Sequence, residues 1–286
     1  MKMFNIPNLF TAGNMLCGVF AIILAFAGRI DIAPYFIFLA AVLDFFDGFL
    51  ARILKQQGEL GKQLDSLADM ISFGLAPGII MMVILISQTV SITGFEELFP
   101  IGEYISVNWA VEYSGSGVTE AHLAMSIWFN QLAEGKIESW IPFTGLIIPF
   151  FSLFRLAKFN IDTRQSESFI GLPTPANTIF FMAFPLLLAN YGNSTGWEHD
   201  LILWLVQPMV LIPVIVVMSL MLVSELPLFA LKFKSFKWQG NEIRYIFLIS
   251  CGILIPVLLF WSIPIIIILY LKLSFINNLL RKKTNA

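Results

Sequence analysis

Four aspartates in one short stretch are the residues of this chain best equipped for chemistry. The stretch reads Asp44-Phe-Phe-Asp47-Gly48-Phe-Leu-Ala51-Arg52, then eight residues, then Gly61-Lys-Gln-Leu-Asp65-Ser-Leu-Ala-Asp69. Asp44 and Asp47 stand three apart and Asp65 and Asp69 four apart, so on helices each pair shares a face. Two helices that each present two carboxylates can build an oxygen-ligand site for a hard cation. Mg²⁺ or Mn²⁺ suits such ligands together with water and phosphate, and Ca²⁺ accepts the same ligand type. Gly48, Ala51 and Gly61 lie between the acids, where small side chains let a flat or phosphorylated ligand approach the backbone. Ala40-Ala-Val-Leu precedes the stretch and Met70-Ile-Ser-Phe-Gly-Leu-Ala follows it. An ionisable group at the edge of hydrocarbon is costly, which favours a functional role over a loop of solvated acids.

The elements that must position these acids are membrane helices. Of the 286 residues, 58% are hydrophobic and 13% charged, against about a quarter charged in an ordinary soluble domain. Length alone would allow one or two soluble domains; composition makes this one membrane domain over 1–286. The net charge of −2 gives no sign of nucleic-acid binding. Cys17 and Cys251 fall in apolar runs as small hydrophobes, not as a disulfide, and His122 and His199 stand alone, which argues against a histidine metal site. The first apolar run lacks a small-residue cleavage site and reads as a retained anchor. The expected architecture is an all-α polytopic bundle of about eight spans, near 8–28, 33–54, 63–89, 141–160, 174–191, 201–224, 243–261 and 263–280. Ser262-Ile-Pro264 divides the last two.

Charge placement tests that count. With both ends in the cytoplasm, the inside connections hold Lys2; Arg52, Lys55 and Lys62; Arg155, Lys158 and Arg164; Lys232, Lys234, Lys237 and Arg244; and Arg281, Lys282 and Lys283. Only Arg29, Lys136 and Lys272 lie elsewhere. The outside connections carry Glu96, Glu97, Glu103, Glu112, Glu120, Glu134, Glu138, Glu198 and Asp200. This is the positive-inside pattern, and it predicts an inner-membrane, multi-pass protein with its aspartates facing the cytoplasm. The 90–140 connection reads as an extracytoplasmic polar insertion, with Ser114-Gly-Ser-Gly and an amphipathic helix near 119–134. At that length it needs structure or function of its own. No internal repeat is visible.

Three other stretches are candidates. Pro7-Asn8-Leu-Phe-Thr11-Ala-Gly-Asn14 places polar residues at three-residue spacing on one face, which suits either the capping of a helix start or a ligand-facing stripe. In Phe154-Arg155-Leu-Ala-Lys158-Phe-Asn160, Arg155 lies about a turn deeper than a snorkelling cation needs and reads as a buried anion binder. Gly171-Leu-Pro173-Thr174-Pro175-Ala-Asn177 opens a helix whose N-terminus, with Thr174 and Asn177, is a competent anion site.

The aspartate pattern Asp-x2-Asp-Gly-x2-Ala-Arg-x8-Gly-x3-Asp-x3-Asp resembles the signature of the CDP-alcohol phosphatidyltransferases, matching at Asp44, Asp47, Gly48, Ala51, Arg52, Gly61, Asp65 and Asp69. The Arg-Leu-Ala-Lys-Phe-Asn and Gly-Leu-Pro-Thr-Pro-Ala segments, with Ser72-Phe-Gly-Leu-Ala-Pro, are similar to those of integral-membrane phosphatidylserine synthases. Lys158 departs from the more usual Arg, keeping the charge but losing the bidentate fork. The resemblance covers roughly 5–190.

That resemblance implies a six-helix catalytic core within 1–224; the C-terminal helix pair at 243–280, read from the apolar runs, lies outside it. It implies transfer of the phosphatidyl group of CDP-diacylglycerol to L-serine, giving phosphatidylserine and CMP, and a homodimer. It also implies two divalent ions held by Asp44, Asp47, Asp65 and Asp69, with Asp69 as general base. Asn8, Thr11, Gly48, Ala51, Arg52 and Gly61 would bind the nucleotide; Arg155, Lys158, Asn160 and Thr174 would face the acceptor or a lipid phosphate. Glycerol 3-phosphate and inositol phosphate are the alternative acceptors, and a cation transporter is the alternative class, one poorly served by the few acids beyond residue 140.

Overall fold

The structure, a computed structural model, describes residues 4–93, 120–162, 169–229, 238–239 and 241–284. The chain begins with α1 (Ile6–Phe26), α2 (Ala33–Ile53) and α3 (Glu59–Asp69). A π-helical turn (Met70–Leu75) runs directly into α4 (Ala76–Thr93). Next come α5 (Glu120–Ala133), a 3₁₀ segment (Ile137–Leu146) and α6 (Ile147–Ile161). The rest comprises β1 (Phe169–Ile170), α7 (Thr174–Tyr191), α8 (Trp197–Val206), α9 (Pro208–Val223), β2 (Pro227–Leu228), α10 (Glu242–Leu258) and α11 (Ser262–Thr284).

α1 starts where Asn5 accepts a hydrogen bond from the Asn8 backbone N–H at 2.9 Å, with proline in the first turn, so Asn5 is the cap. Its buried face is built of small residues (Gly18, Ala21, Ala25). They let α1 lie against the π turn: a Cβ on Gly18 would stand 2.7 Å from Ser72 Cα, a clash that only glycine avoids. α4 is the core helix, with Ile80, Met81, Ile84, Leu85 and Ile86 fully buried. Opposite it, a Cβ on Gly145 would meet the Gly78 carbonyl at 2.7 Å, so the two backbones touch.

The all-helical membrane architecture matches the reading of the sequence, and the differences are local. By length and composition four helical stretches among the described residues could cross a membrane, Ile6–Phe26, Glu59–Val90, Ile137–Ile161 and Glu242–Leu279, the last of them interrupted. α8 and α9 make a fifth if taken as one span. The eight expected spans also included α2 and α7, which have the length but carry polar groups, Asp44 and Asp47 on one and Asn177 and Thr178 on the other. The span expected at 201–224 is two helices bent by 67° at Gln207, because Pro208 cannot donate back into α8. The final stretch is divided, as expected. The rings of Phe247 and Tyr270 lie 5.7 Å apart, whereas a straight helix would separate them by roughly 35 Å. α10 and α11 are therefore an antiparallel hairpin turning at Leu259, whose φ is 46°.

β1 and β2 pair antiparallel, Phe169 with Leu228 and Ile170 with Pro227. Gly171, at φ 75°, then passes so close to α9 that a Cβ would meet the Leu222 carbonyl at 2.5 Å. In the 90–140 connection, α5 forms near its expected place and is tied down by Trp128, whose indole N–H donates to the Ser139 carbonyl at 2.8 Å. Glu96, Glu97, Glu103, Glu112, Ser114-Gly-Ser-Gly, Lys2, Arg164, Lys232, Lys234 and Lys237 lie outside the described residues, as do the side chains of Glu120, His122, Arg281, Lys282 and Lys283.

Candidate active site

Helical periodicity and the α2–α3 turn bring the two aspartate pairs together. Ligand oxygens of Asp44, Asp47 and Asp65 all lie within 4.8 Å of one another. Asp69, one turn along α3, lies close enough to Asp44 and Asp65 to feel the charge of both. Asp47 is 6% exposed and Asp69 9%. Carboxylates this close repel each other and lose hydration, so a cation between them is the arrangement that lets all stay ionised. Three acids converging from two rigid helices fit a hard divalent ion by donor type and spacing.

α1 supplies the next layer. Thr11 Oγ1 donates to Asp47 Oδ2 at 2.6 Å, and Asn14 Nδ2 donates to Asp69 Oδ1 at 3.1 Å. One helix face thus orients one acid of each pair, the kind of support on which ligating carboxylates depend. Thr11 was expected at the nucleotide; Asn14 was visible only as part of a polar stripe. Thr11→Val keeps the shape and removes the donor. It is expected to raise the half-saturating metal concentration about tenfold or more, measured by Mn²⁺ binding in electron paramagnetic resonance, with the fold unchanged by circular dichroism.

A cleft of about 550 Å³ opens beside the acids. All six residues expected at the nucleotide line it: Asn8, Thr11, Gly48, Ala51, Arg52 and Gly61. Asp47 and Asp65 form part of its wall. A Cβ on Gly61 would lie 3.6 Å from Asn8 Oδ1, an ordinary contact, so this glycine keeps the cleft wide and is not forced by packing. Gln56, Gln57, Glu59 and Lys62 also line it; they lie between the fixed positions of the pattern, where periodicity gave no signal.

The four residues expected around the acceptor separate into two groups. Arg155 is 6% exposed; its Nε donates to the Leu172 carbonyl at 3.3 Å and its guanidinium lies 4.7 Å over the Phe159 ring. It feels the charge of Asp69. Thr174 is fully buried in the first turn of α7, just past Leu172. Lys158 instead turns to Glu225 in an exposed ion pair. Asn160 fastens α6 to α3: its Nδ2 donates to Ser66 Oγ at 2.7 Å and its carbonyl accepts from Lys62 Nζ at 2.7 Å.

The π turn was not legible from the sequence. It follows Asp69 immediately, and its Phe73 carbonyl accepts the Thr178 hydroxyl at 2.6 Å. π turns inside helices are frequent at functional sites. Here the turn links the helix bearing Asp65 and Asp69 to α7.

Comparison with known proteins bears on this geometry. Residues 4–100 match the family model "CDP-alcohol phosphatidyltransferase". The chain is 29% identical over 189 residues to the CDP-diacylglycerol–serine O-phosphatidyltransferase of Bacillus subtilis, covering 64% of this chain and 80% of that protein. To the protein of the same name from Helicobacter pylori it is 27% identical over 237 residues, covering 82% and 74%. It is also 25% identical over 186 residues to the archaetidylserine synthase of Methanothermobacter thermautotrophicus, covering 63% and 58%.

Proposed function

We propose that the chain, whose residues 4–100 match the CDP-alcohol phosphatidyltransferase family model, transfers the phosphatidyl group of CDP-diacylglycerol to the hydroxyl of L-serine, releasing CMP. The observation that carries this reading is the convergence of Asp44, Asp47 and Asp65 beside a nucleotide-sized cleft, with Asp69 behind them. Asp44, Asp47 and Asp65 would hold the divalent ions, with Asp69 adjoining. A bound ion supplies Lewis-acid neutralisation of the pyrophosphate charge.

The chain's own groups account for the rest. The cleft binds the cytidine nucleotide, with Arg52 at its wall to meet phosphate. Asp69, held by Asn14, accepts the proton of the serine hydroxyl as its oxygen bonds to the lipid-side phosphorus. The P–O bond to CMP breaks, and CMP departs with the electron pair. Arg155 takes the serine carboxylate. The acyl chains remain in lipid, reaching the site between helices. The positive-inside pattern supports an inner-membrane protein with the site open to the cytoplasm. A catalytic core over 1–224, a C-terminal pair at 243–280 and a homodimer belong to the same reading.

The test is an acceptor panel on purified protein in mixed micelles. CMP release from CDP-diacylglycerol is expected with L-serine and a divalent metal, and not with glycerol 3-phosphate or inositol phosphate. Release with glycerol 3-phosphate but not serine would overturn the acceptor assignment. Metal-dependent ion flux in liposomes without CMP release would favour the transporter alternative.

A further inference from the structure

We propose that the first turn of α7 recognises the zwitterionic end of the acceptor, with Asn177 as the specificity-determining residue; this rests on the acceptor being an amino acid. Asn177 is fully buried, and neither its Nδ2 nor its Oδ1 has a hydrogen-bond partner. Thr174 Oγ1 and Ser152 Oγ, also on fully buried residues, are unpartnered as well. Buried polar atoms are normally paired, and four orphans on α6 and the first turn of α7, three of them within one helical turn, call for a ligand. Ser72, Ser87 and Thr89 each donate to the carbonyl four residues back, whereas the lone hydroxyls of Ser219 and Ser274, like that of Ser152, do not; among the described residues, only at the start of α7 does a buried amide lack partners at both its donor and its acceptor.

The fold brings α6 and the start of α7 to the π turn that follows Asp69. Arg155 Nε holds the Leu172 carbonyl, two residues ahead of α7, and Thr178 holds the Phe73 carbonyl. Ser152, three residues before Arg155 on the same face of α6, has its Cβ 3.1 Å from where a Cβ on Gly74 would stand. Thus Ser152 of α6 and Thr178 of α7, one turn past Thr174, both meet the segment that follows Asp69.

The chemistry of the orphans selects the ligand. An α-amino acid carries a carboxylate and an ammonium on one carbon. A primary amide carries a donor and an acceptor on one carbon, so Asn177 Nδ2 can donate to the carboxylate while Oδ1 accepts from the ammonium. The Arg155 guanidinium, the Thr174 hydroxyl and the positive end of an 18-residue helix complete the carboxylate site. The hydroxymethyl arm is left on the side of Asp69. A sugar phosphate or polyol phosphate has no ammonium and would leave Asn177 Oδ1 unpaired.

The experiment measures steady-state kinetics of Asn177→Leu and Asn177→Asp in the full-length protein, with melting temperature in detergent as the folding check. Acceptors are L-serine, L-serine methyl ester and N-acetyl-L-serine. In the wild type, L-serine is expected to be strongly preferred over both derivatives. Asn177→Leu should raise KM for L-serine about tenfold or more, leave KM for CDP-diacylglycerol within about twofold, and erode the preference over N-acetyl-L-serine. If Asn177→Leu melts early, Asn177→Asp, equal in size, still decides. Its negative charge should raise KM for L-serine while weakening discrimination against the uncharged-carboxyl methyl ester. Unchanged serine KM and unchanged preference in a folded variant would assign the orphan atoms to trapped water and overturn the proposal. A wild type that ignores serine altogether would overturn the acceptor assignment instead, so the two failures are distinct.

Discussion

Asp69→Asn is expected to lower turnover by about 10²–10⁴-fold, the usual worth of a positioned general base, while CDP-diacylglycerol binding stays measurable. The substitution keeps volume and can keep the hydrogen bond from Asn14, since an amide oxygen accepts as a carboxylate does. What it removes is the capacity to take a proton at that point. Asp69 is suited to the role by position: it is almost completely buried, one helical turn beyond Asp65, oriented by α1 and close to Arg155. Rates of CMP release and equilibrium binding of CDP-diacylglycerol, measured on the same preparation, check the expectation. Undiminished turnover would remove Asp69 from proton transfer and leave it a spacer between helices.

Removing divalent metal is expected to abolish turnover, and Mg²⁺ or Mn²⁺ to restore it. The reason lies in the charge of the cluster itself. Three carboxylates within 4.8 Å, on helices packed against a third, have no cationic side chain hydrogen-bonded to them among the described residues. A cation that binds the folded cluster and not the unfolded chain also stabilises it, by about 2.7 kcal/mol at a hundred times its Kd. Chelation should therefore lower the melting temperature together with the activity, and metal should restore both. Asp47→Ala should abolish the thermal response even where the protein folds. Activity that survives exhaustive chelation would sever the aspartates from metal binding.

The aspartate pairs were legible because their spacing is a local property: a period of 3.6 residues fixes which side chains share a face, whatever the helix packs against. The apolar runs gave the helices for the same reason. The break at Gln207 needed more than hydropathy, since Pro208 can open a helix or bend one. The π turn left no trace in Met70-Ile-Ser-Phe-Gly-Leu75, where the apolar pattern is that of any buried helix. Partnerships across the bundle were equally hidden. Asn14 meets Asp69 across 55 residues, Lys158 meets Glu225 across 67, and neither pairing follows from the helix on which each residue sits. Asn177 was recognisable as part of a helix opening, but that its amide would be buried without partners is a property of α6, α7 and the π turn together.

The most direct measurement is anomalous X-ray scattering from crystals grown with Mn²⁺ and CDP-diacylglycerol. Density for manganese coordinated by oxygens of Asp44, Asp47 and Asp65, next to the pyrophosphate in the cleft bounded by Asn8 and Arg52, is the expected result. Manganese bound elsewhere, with those three carboxylates uncoordinated and the nucleotide outside the cleft, would contradict it.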